Sequence, residues 1–175
     1  ELVQLDLRTP ATTALSPAFL SDAHVSPNSG DPTPDNNHST MQSTVVGSFD
    51  LTCVFVYPAR NGNPKDGGDI LLYEDKTIVY QIFFQNTGNA PADRVIVRDP
   101  LDGNLDVSTI RNIRASHNMA VSAESDNKVL IFKFDNISLP DSTTDYAGSI
   151  GSIQYEIDLK PGAPIGTKIE KEVGI

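Results

Sequence analysis

The clearest regularity along the chain is alternation. In "SIQYEIDLK" the residues Ile153, Tyr155, Ile157 and Leu159 alternate with Gln154, Glu156, Asp158 and Lys160. Successive side chains of a β-strand point to opposite faces, so one set is buried and the other meets water. The same period sets Ile78, Tyr80, Ile82 and Phe84 against Val79, Gln81, Phe83 and Gln85, and sets Leu130, Phe132 and Phe134 against Ile131 and Lys133. Further strands are predicted over Arg94 to Arg98, Met119 to Ala123 and Thr167 to Val173, with Gly, Pro, Asn and Asp clusters between them. No long segment sustains the i, i+3, i+4, i+7 apolar stripe of a helix. Short strands, frequent turns and aromatic inward positions predict an all-β, immunoglobulin-like antiparallel β-sandwich over residues 48–175.

Residues 1–47 differ in texture. "ELVQLDLR" alternates, but "TPATTALSP" and "SPNSGDPTPDNN" are rich in Pro, Ser, Thr and Asn and weakly hydrophobic. The stretch reads either as an extended arm or as the terminal strands of a preceding β-sandwich repeat, Leu2 to Leu7, Phe19 to Val25 and Ser39 to Val46. Three strands alone bury too little surface to offset the entropy of ordering them.

Composition narrows the function classes. A chain of 175 residues suffices for one sizeable core. A formal net charge of −10 repels a phosphate backbone, and no Lys/Arg stripe with interleaved aromatics reverses it locally, so nucleic acid is not an expected partner. The longest strongly apolar run, Thr77 to Phe84, is far too short for a transmembrane helix. One cysteine, Cys53, leaves no intrachain disulfide and no multi-cysteine metal cage, and reads as a small buried apolar side chain.

Three segments, "YQIFFQNTGNAPADRVIVRDPLDGNLDVSTI" (Tyr80 to Ile110), "ASHNMAVSAESDNKVLIFKFDNISLPDSTTD" (Ala115 to Asp145) and "GSIQYEIDLKPGAPIGTKIEKEV" (Gly151 to Val173), carry FQNTG, NLD-ST and LPDSTT elements in order. Together they resemble a β-sandwich module of large exported Bacteroidetes proteins, often found just before a C-terminal signal for type IX secretion. The lead-in from Val25 to Asp50 resembles the last hairpin of a preceding repeat. Two departures stand out. Asp50 is followed by "LTCVFVYPARNGNP" where the family has a Pro-Asn-Asp-Lys stretch, and the family's final aromatic strand would fall after Ile175, leaving the sandwich one strand short within these residues. The resemblance implies a secreted or cell-surface protein that meets the type IX machinery through a region outside this chain. These residues would then be an excerpt of a longer protein. Alternatively, a strand from a neighbouring copy, with Val3, Leu5 and Leu7 of the Glu1 to Arg8 segment as the exchanging residues, would complete the sheet and build a polymer.

Candidate chemistry is sparse. Asp99, Asp102, Asn104 and Asp106 could offer oxygen ligands to calcium, but they lack the order of an EF-hand loop and equally suit a solvated connection between strands. "GSIGS" is not the G-x-S-x-G of a nucleophile turn, and "GAPIGTK" has the wrong spacing for a phosphate loop. His24, His38 and His117 are isolated, so no zinc site or triad base is assembled from neighbours in sequence. Extracellular sandwiches can cross-link Lys to Asn through a buried acid, for which Lys76, Lys128, Lys133 and Asn136 are nominal candidates. "DST" at Asp141 to Thr143 resembles the acceptor motif for O-linked glycans in exported Bacteroidetes proteins, with Ser142 as acceptor, and reads otherwise as a polar turn. No enzyme activity and no cofactor is expected. The expected role is a non-catalytic structural or assembly module, a spacer or polymerising unit whose partners are neighbouring modules or copies of itself. The alternative is an adhesion module that recognises glycan or protein through its loops.

Overall fold

A computed structural model describes residues 18–24, 29–30, 32–33, 37–44, 50–71, 74–124, 126 and 128–175. The chain divides into two compact units, Glu1–Gly47 and Ser48–Ile175. In the first, β1 (Ala18–His24) and β2 (His38–Thr44) form an antiparallel hairpin in register from Ala18↔Thr44 to His24↔His38. Val3, Leu5 and Leu7, and with them the Leu2 to Leu7 strand, lie outside the described residues.

The second unit is a β-sandwich, with no α-helix among the described residues. Its strands are β3 (Asp50–Tyr57), β4 (Arg60–Asn63), β5 (Gly67–Asp69), β6 (Thr77–Asn86), β7 (Ala92–Pro100), β8 (Leu105–Ala115), β9 (Ala120–Glu124), β10 (Val129–Leu139) and β11 (Ile150–Leu159). A four-stranded sheet runs β3-β6-β11-β8, a three-stranded sheet runs β7-β10-β9, and β4 pairs with β5 in a small hairpin. Every pairing is antiparallel, as one-sided alternation requires.

The core is the set of inward positions that the alternation marks. Ile78, Tyr80, Ile82 and Phe84 of β6, Ile153, Tyr155 and Ile157 of β11, and Leu130, Phe132 and Phe134 of β10 are all buried. Aromatic pairs join the sheets: Phe84 meets Phe134 with centroids 5.2 Å apart, and Phe132 stacks on Tyr155 at 5.9 Å. Gly151 stands opposite Phe84 in the β6–β11 register, where the phenyl ring occupies the space a Cβ would need. The turn after β6 is built by Asn86, which is fully buried; its side-chain amide donates to the Ala90 carbonyl (2.9 Å) and the Leu139 carbonyl (3.1 Å) and accepts from Gly88 N–H (3.0 Å). Within "QNTGN" the Asn86 amide therefore sets turn geometry, as read from sequence, whereas the Gln85 amide donates to Ser149 Oγ at 3.0 Å.

Three sequence expectations need correction. Thr167 to Val173 is not a strand: the segment leaves the ladder and returns only at an isolated antiparallel bridge, Arg98↔Gly174. Cys53 is half-buried rather than buried, because its register partner is Phe83 on the outer face of β6. The acidic run is not all a solvated connection, since Asp99 is fully buried and Asp106 lies inside β8.

Candidate functional site

Asp99 occupies an inward position of β7, the next on the face that buries Val95 and Val97. Tyr155 occupies an inward position of β11 between Ile153 and Ile157. The two strands belong to opposite sheets, so the pleat aims a carboxylate and a phenol at each other across the core, and Tyr155 donates a 2.8 Å hydrogen bond to Asp99 Oδ2. The third member comes from the C-terminal segment. Ile169, Lys171 and Val173 share one parity; Ile169 and Val173 pack against the core, and this carries the Lys171 side chain in between them. Its ammonium bonds Asp99 Oδ1 and lies 2.8 Å from the Tyr155 hydroxyl oxygen. Lys171's side chain is 7% exposed and Asp99's is 0% exposed.

The surroundings are aromatic. Lys171 Nζ lies 4.2 Å from the centroid of the Tyr80 ring and 5.4 Å from that of Tyr155, both within cation–π range. Tyr80 and Tyr155 are themselves register partners, with ring centroids 5.4 Å apart. Among the described residues the buried Tyr80 hydroxyl has no hydrogen-bond partner. Burial pushes the Asp99 carboxyl up, against the attraction of Lys171 and the hydrogen bonds from Lys171 and Tyr155, and burial pushes the Lys171 ammonium down. Both shifts favour the uncharged forms. Burial and the neighbouring Asp99 charge raise both phenols, so each stays protonated and can donate. A cleft of about 210 Å³, lined by Val54, Val56, Ile70, Tyr80, Ile169 and Lys171 among others, opens beside the cluster.

Three further hydrogen bonds hold the C-terminal segment nearby. Glu170 N–H donates to Asp102 Oδ2 (3.1 Å), and Arg98 exchanges backbone hydrogen bonds of 2.8 and 2.9 Å with Gly174.

The four residues considered for calcium do not converge on one point: Asp102 and Asn104 bond each other, while Asp99 and Asp106 have partners elsewhere. Asp99 faces Lys171. Asp102 accepts from Asn104 N–H and Nδ2, each at 2.8 Å; burial opposes the ionised form, yet these donors and Glu170 hold its carboxyl below the ordinary range. Asp106 accepts from the Ser108 hydroxyl (2.6 Å) and N–H (3.1 Å). Among the described residues no group of three His, Cys, Asp or Glu is placed to hold a metal ion. Ser142 is half-buried in the turn after β10, with its N–H bonded to the Asn86 carbonyl at 2.9 Å. Asp141 organises that turn: it accepts from Thr143 N–H and Thr144 N–H, both 3.0 Å, and from both threonine hydroxyls, which together hold its carboxyl down to about 2.

Sequence reasoning missed Lys171. The nominal cross-linking residues are elsewhere: Lys76, Lys128 and Asn136 are exposed, and Lys133 pairs with Asp135 at 2.7 Å. The usable signal was parity, because Lys171 and Asp99 each fill an apolar slot in an alternating run. His24 and His38, isolated in sequence, are brought opposite one another in the first hairpin with ring centroids 6.4 Å apart.

A family profile described as "Domain of unknown function (DUF7619)" matches residues 62–175. No curated protein matches the chain. Among solved structures, the collagen-binding domain from a Staphylococcus aureus adhesin is similar at 10% identity and a TM-score of 0.35, over 75% of this chain and 97% of that one.

Proposed function

The chain belongs to DUF7619, a family described as a domain of unknown function, and from its own residues we propose that it is a non-catalytic, load-bearing β-sandwich module of a secreted or cell-surface protein. The observation that carries this reading is the Asp99–Tyr155–Lys171 cluster. It fastens β7 of one sheet, β11 of the other and the C-terminal segment at a single buried point, where water cannot compete for the bonds. A module that transmits tension along its chain needs such a fastening where the chain leaves the sandwich. The FQNTG, NLD-ST and LPDSTT elements support export by a type IX route in a Bacteroidetes cell, with the secretion signal in a region outside these residues. The edge of β7 supports assembly with neighbours: among the described residues its outer side is engaged at the Arg98↔Gly174 bridge alone, which leaves backbone for an added strand from another copy.

Forced unfolding of tandem modules tests this reading. Wild type should resist a higher force than a variant carrying Asp99→Leu and Lys171→Met together. Equal forces would remove the mechanical role.

A second reading, adhesion, is favoured by one feature of the outer sheet face. Phe55 and Phe83 pack edge to face with centroids 5.7 Å apart, and with Tyr57 and Gln81 they line a shallow concavity. Aromatic faces beside an amide suit the apolar face of a sugar ring. Glycan-array binding that Phe83→Ser abolishes would support adhesion, and an array without signal would count against it.

A further inference from the structure

We propose that the folded module joins Asp99 Cγ to Lys171 Nζ through an intramolecular isopeptide bond. The amine and carboxyl are already hydrogen-bonded partners, and Tyr155's hydroxyl sits 2.8 Å from both Asp99 Oδ2 and Lys171 Nζ. An ordinary buried ion pair would leave two charges in apolar surroundings at a desolvation penalty that apolar side chains of similar volume avoid. Amide formation removes both charges and keeps the fastening.

The chemistry balances without an outside reagent. Within the ion pair a proton passes from the ammonium to the carboxylate, giving the neutral amine and carboxylic acid that burial favours on both groups. The Nζ lone pair attacks Cγ, and the carbonyl electron pair moves onto Oδ2, where the Tyr155 hydroxyl donates a hydrogen bond to the developing oxyanion. The intermediate collapses by re-forming the carbonyl and expelling the other carboxyl oxygen, which leaves as water with its own proton and one from Nζ. Counted from the ion pair, one C–N and two O–H bonds form, one C–O and two N–H bonds break, and nothing is oxidised or reduced. The two groups are held by different strands of a folded core, and such fixed juxtaposition corresponds to effective concentrations of about 10⁵–10⁸ M. The cleft that Lys171 and Tyr80 line gives the water a way out. Tyr155 acts as the oxyanion donor, and the Tyr80 ring beneath Nζ keeps the amine aligned over the carboxyl.

This inference goes beyond the load-bearing reading, because the bond is detectable in a module that bears no load. The test is the intact mass of the full chain in denaturant, expected to be lighter than the sequence by one water. Trypsin should then release a branched peptide joining Asp99–Arg111 to the segment from Ile169, with no cut after Lys171, whose side chain is acylated. Asp99→Asn should yield the same amide by expelling ammonia, whereas Asp99→Leu and Lys171→Met should keep their full masses. Tyr155→Phe should lower the linked fraction several-fold early after synthesis, and an undiminished fraction would overturn the role given to its hydroxyl. A wild-type mass equal to the sequence overturns the bond. So does loss of one water with unbranched peptides, the signature of a succinimide at Asp66-Gly67 or Asp102-Gly103.

Discussion

Removing Lys171 alone should harm the module more than removing Lys171 and Asp99 together. In Lys171→Met the Asp99 carboxyl stays at 0% exposure with the Tyr155 hydroxyl still bonded to it but no cation beside it. Leaving one member of a buried pair uncompensated costs about 3–5 kcal/mol, a large share of the roughly 5–15 kcal/mol of a typical domain. The double variant Asp99→Leu/Lys171→Met buries no charge and should recover about 1–4 kcal/mol of that loss. Wild type should still exceed the double variant. A bond between residues 72 positions apart constrains the unfolded chain as a disulfide of that span does, worth roughly 4 kcal/mol. Urea unfolding monitored by circular dichroism reads these gaps, since 3 kcal/mol moves the midpoint by about 1–3 M at ordinary slopes. The Lys171→Met variant carries its own signature in pH. Its Asp99 holds a proton in the folded state at pH values where the unfolded chain has lost it, so stability should rise as pH falls through that window. A Lys171→Met variant within about 1 kcal/mol of wild type would refute burial of the carboxylate. A double variant no more stable than the single would refute the desolvation reasoning.

Other expectations follow from local packing and titration. Gly151→Ala should destabilise by about 1–3 kcal/mol, because its methyl group must displace the Phe84 ring that pairs with Phe134 across the sandwich; thermal unfolding measures this, and an unchanged midpoint contradicts the placement. Asp141 is held down to about 2 from an ordinary 3.8, so its contribution is present above that ordinary value and is lost as pH falls toward about 2. Asp141→Asn should flatten this acid limb of the stability curve, and an unaltered limb would show that the threonine donors do not hold the carboxylate.

Alternation made most of the sandwich legible before any coordinates. β6, β10 and β11 bury the residues their parity marks, because a two-layer fold has one wet face per sheet. Elements that break parity were harder to read. β8 turns through Asn112 at a φ of 53° and shifts register twice against β11, which scrambles its pattern. The β4–β5 hairpin is "RNGN" and "GGD", with no apolar residue to register at all. Thr167 to Val173 alternates as a strand does, yet side-chain and loop bonds hold it instead of a ladder. The site was hidden for a related reason. A charged residue in an apolar slot looks like a lapse of the pattern, and only the opposing sheet reveals that Asp99 and Lys171 fill such slots for one another.

The claim on which the rest depends is that the Asp99–Lys171 tie locks the C-terminal segment into the sandwich, and the length of chain released on forced unfolding examines it most directly. With the tie covalent, the 72 residue steps between its ends stay closed, and the wild-type release should fall short of the Asp99→Leu/Lys171→Met release by about 240–260 Å at about 3.3–3.6 Å per residue. Equal released lengths in the two proteins would contradict it.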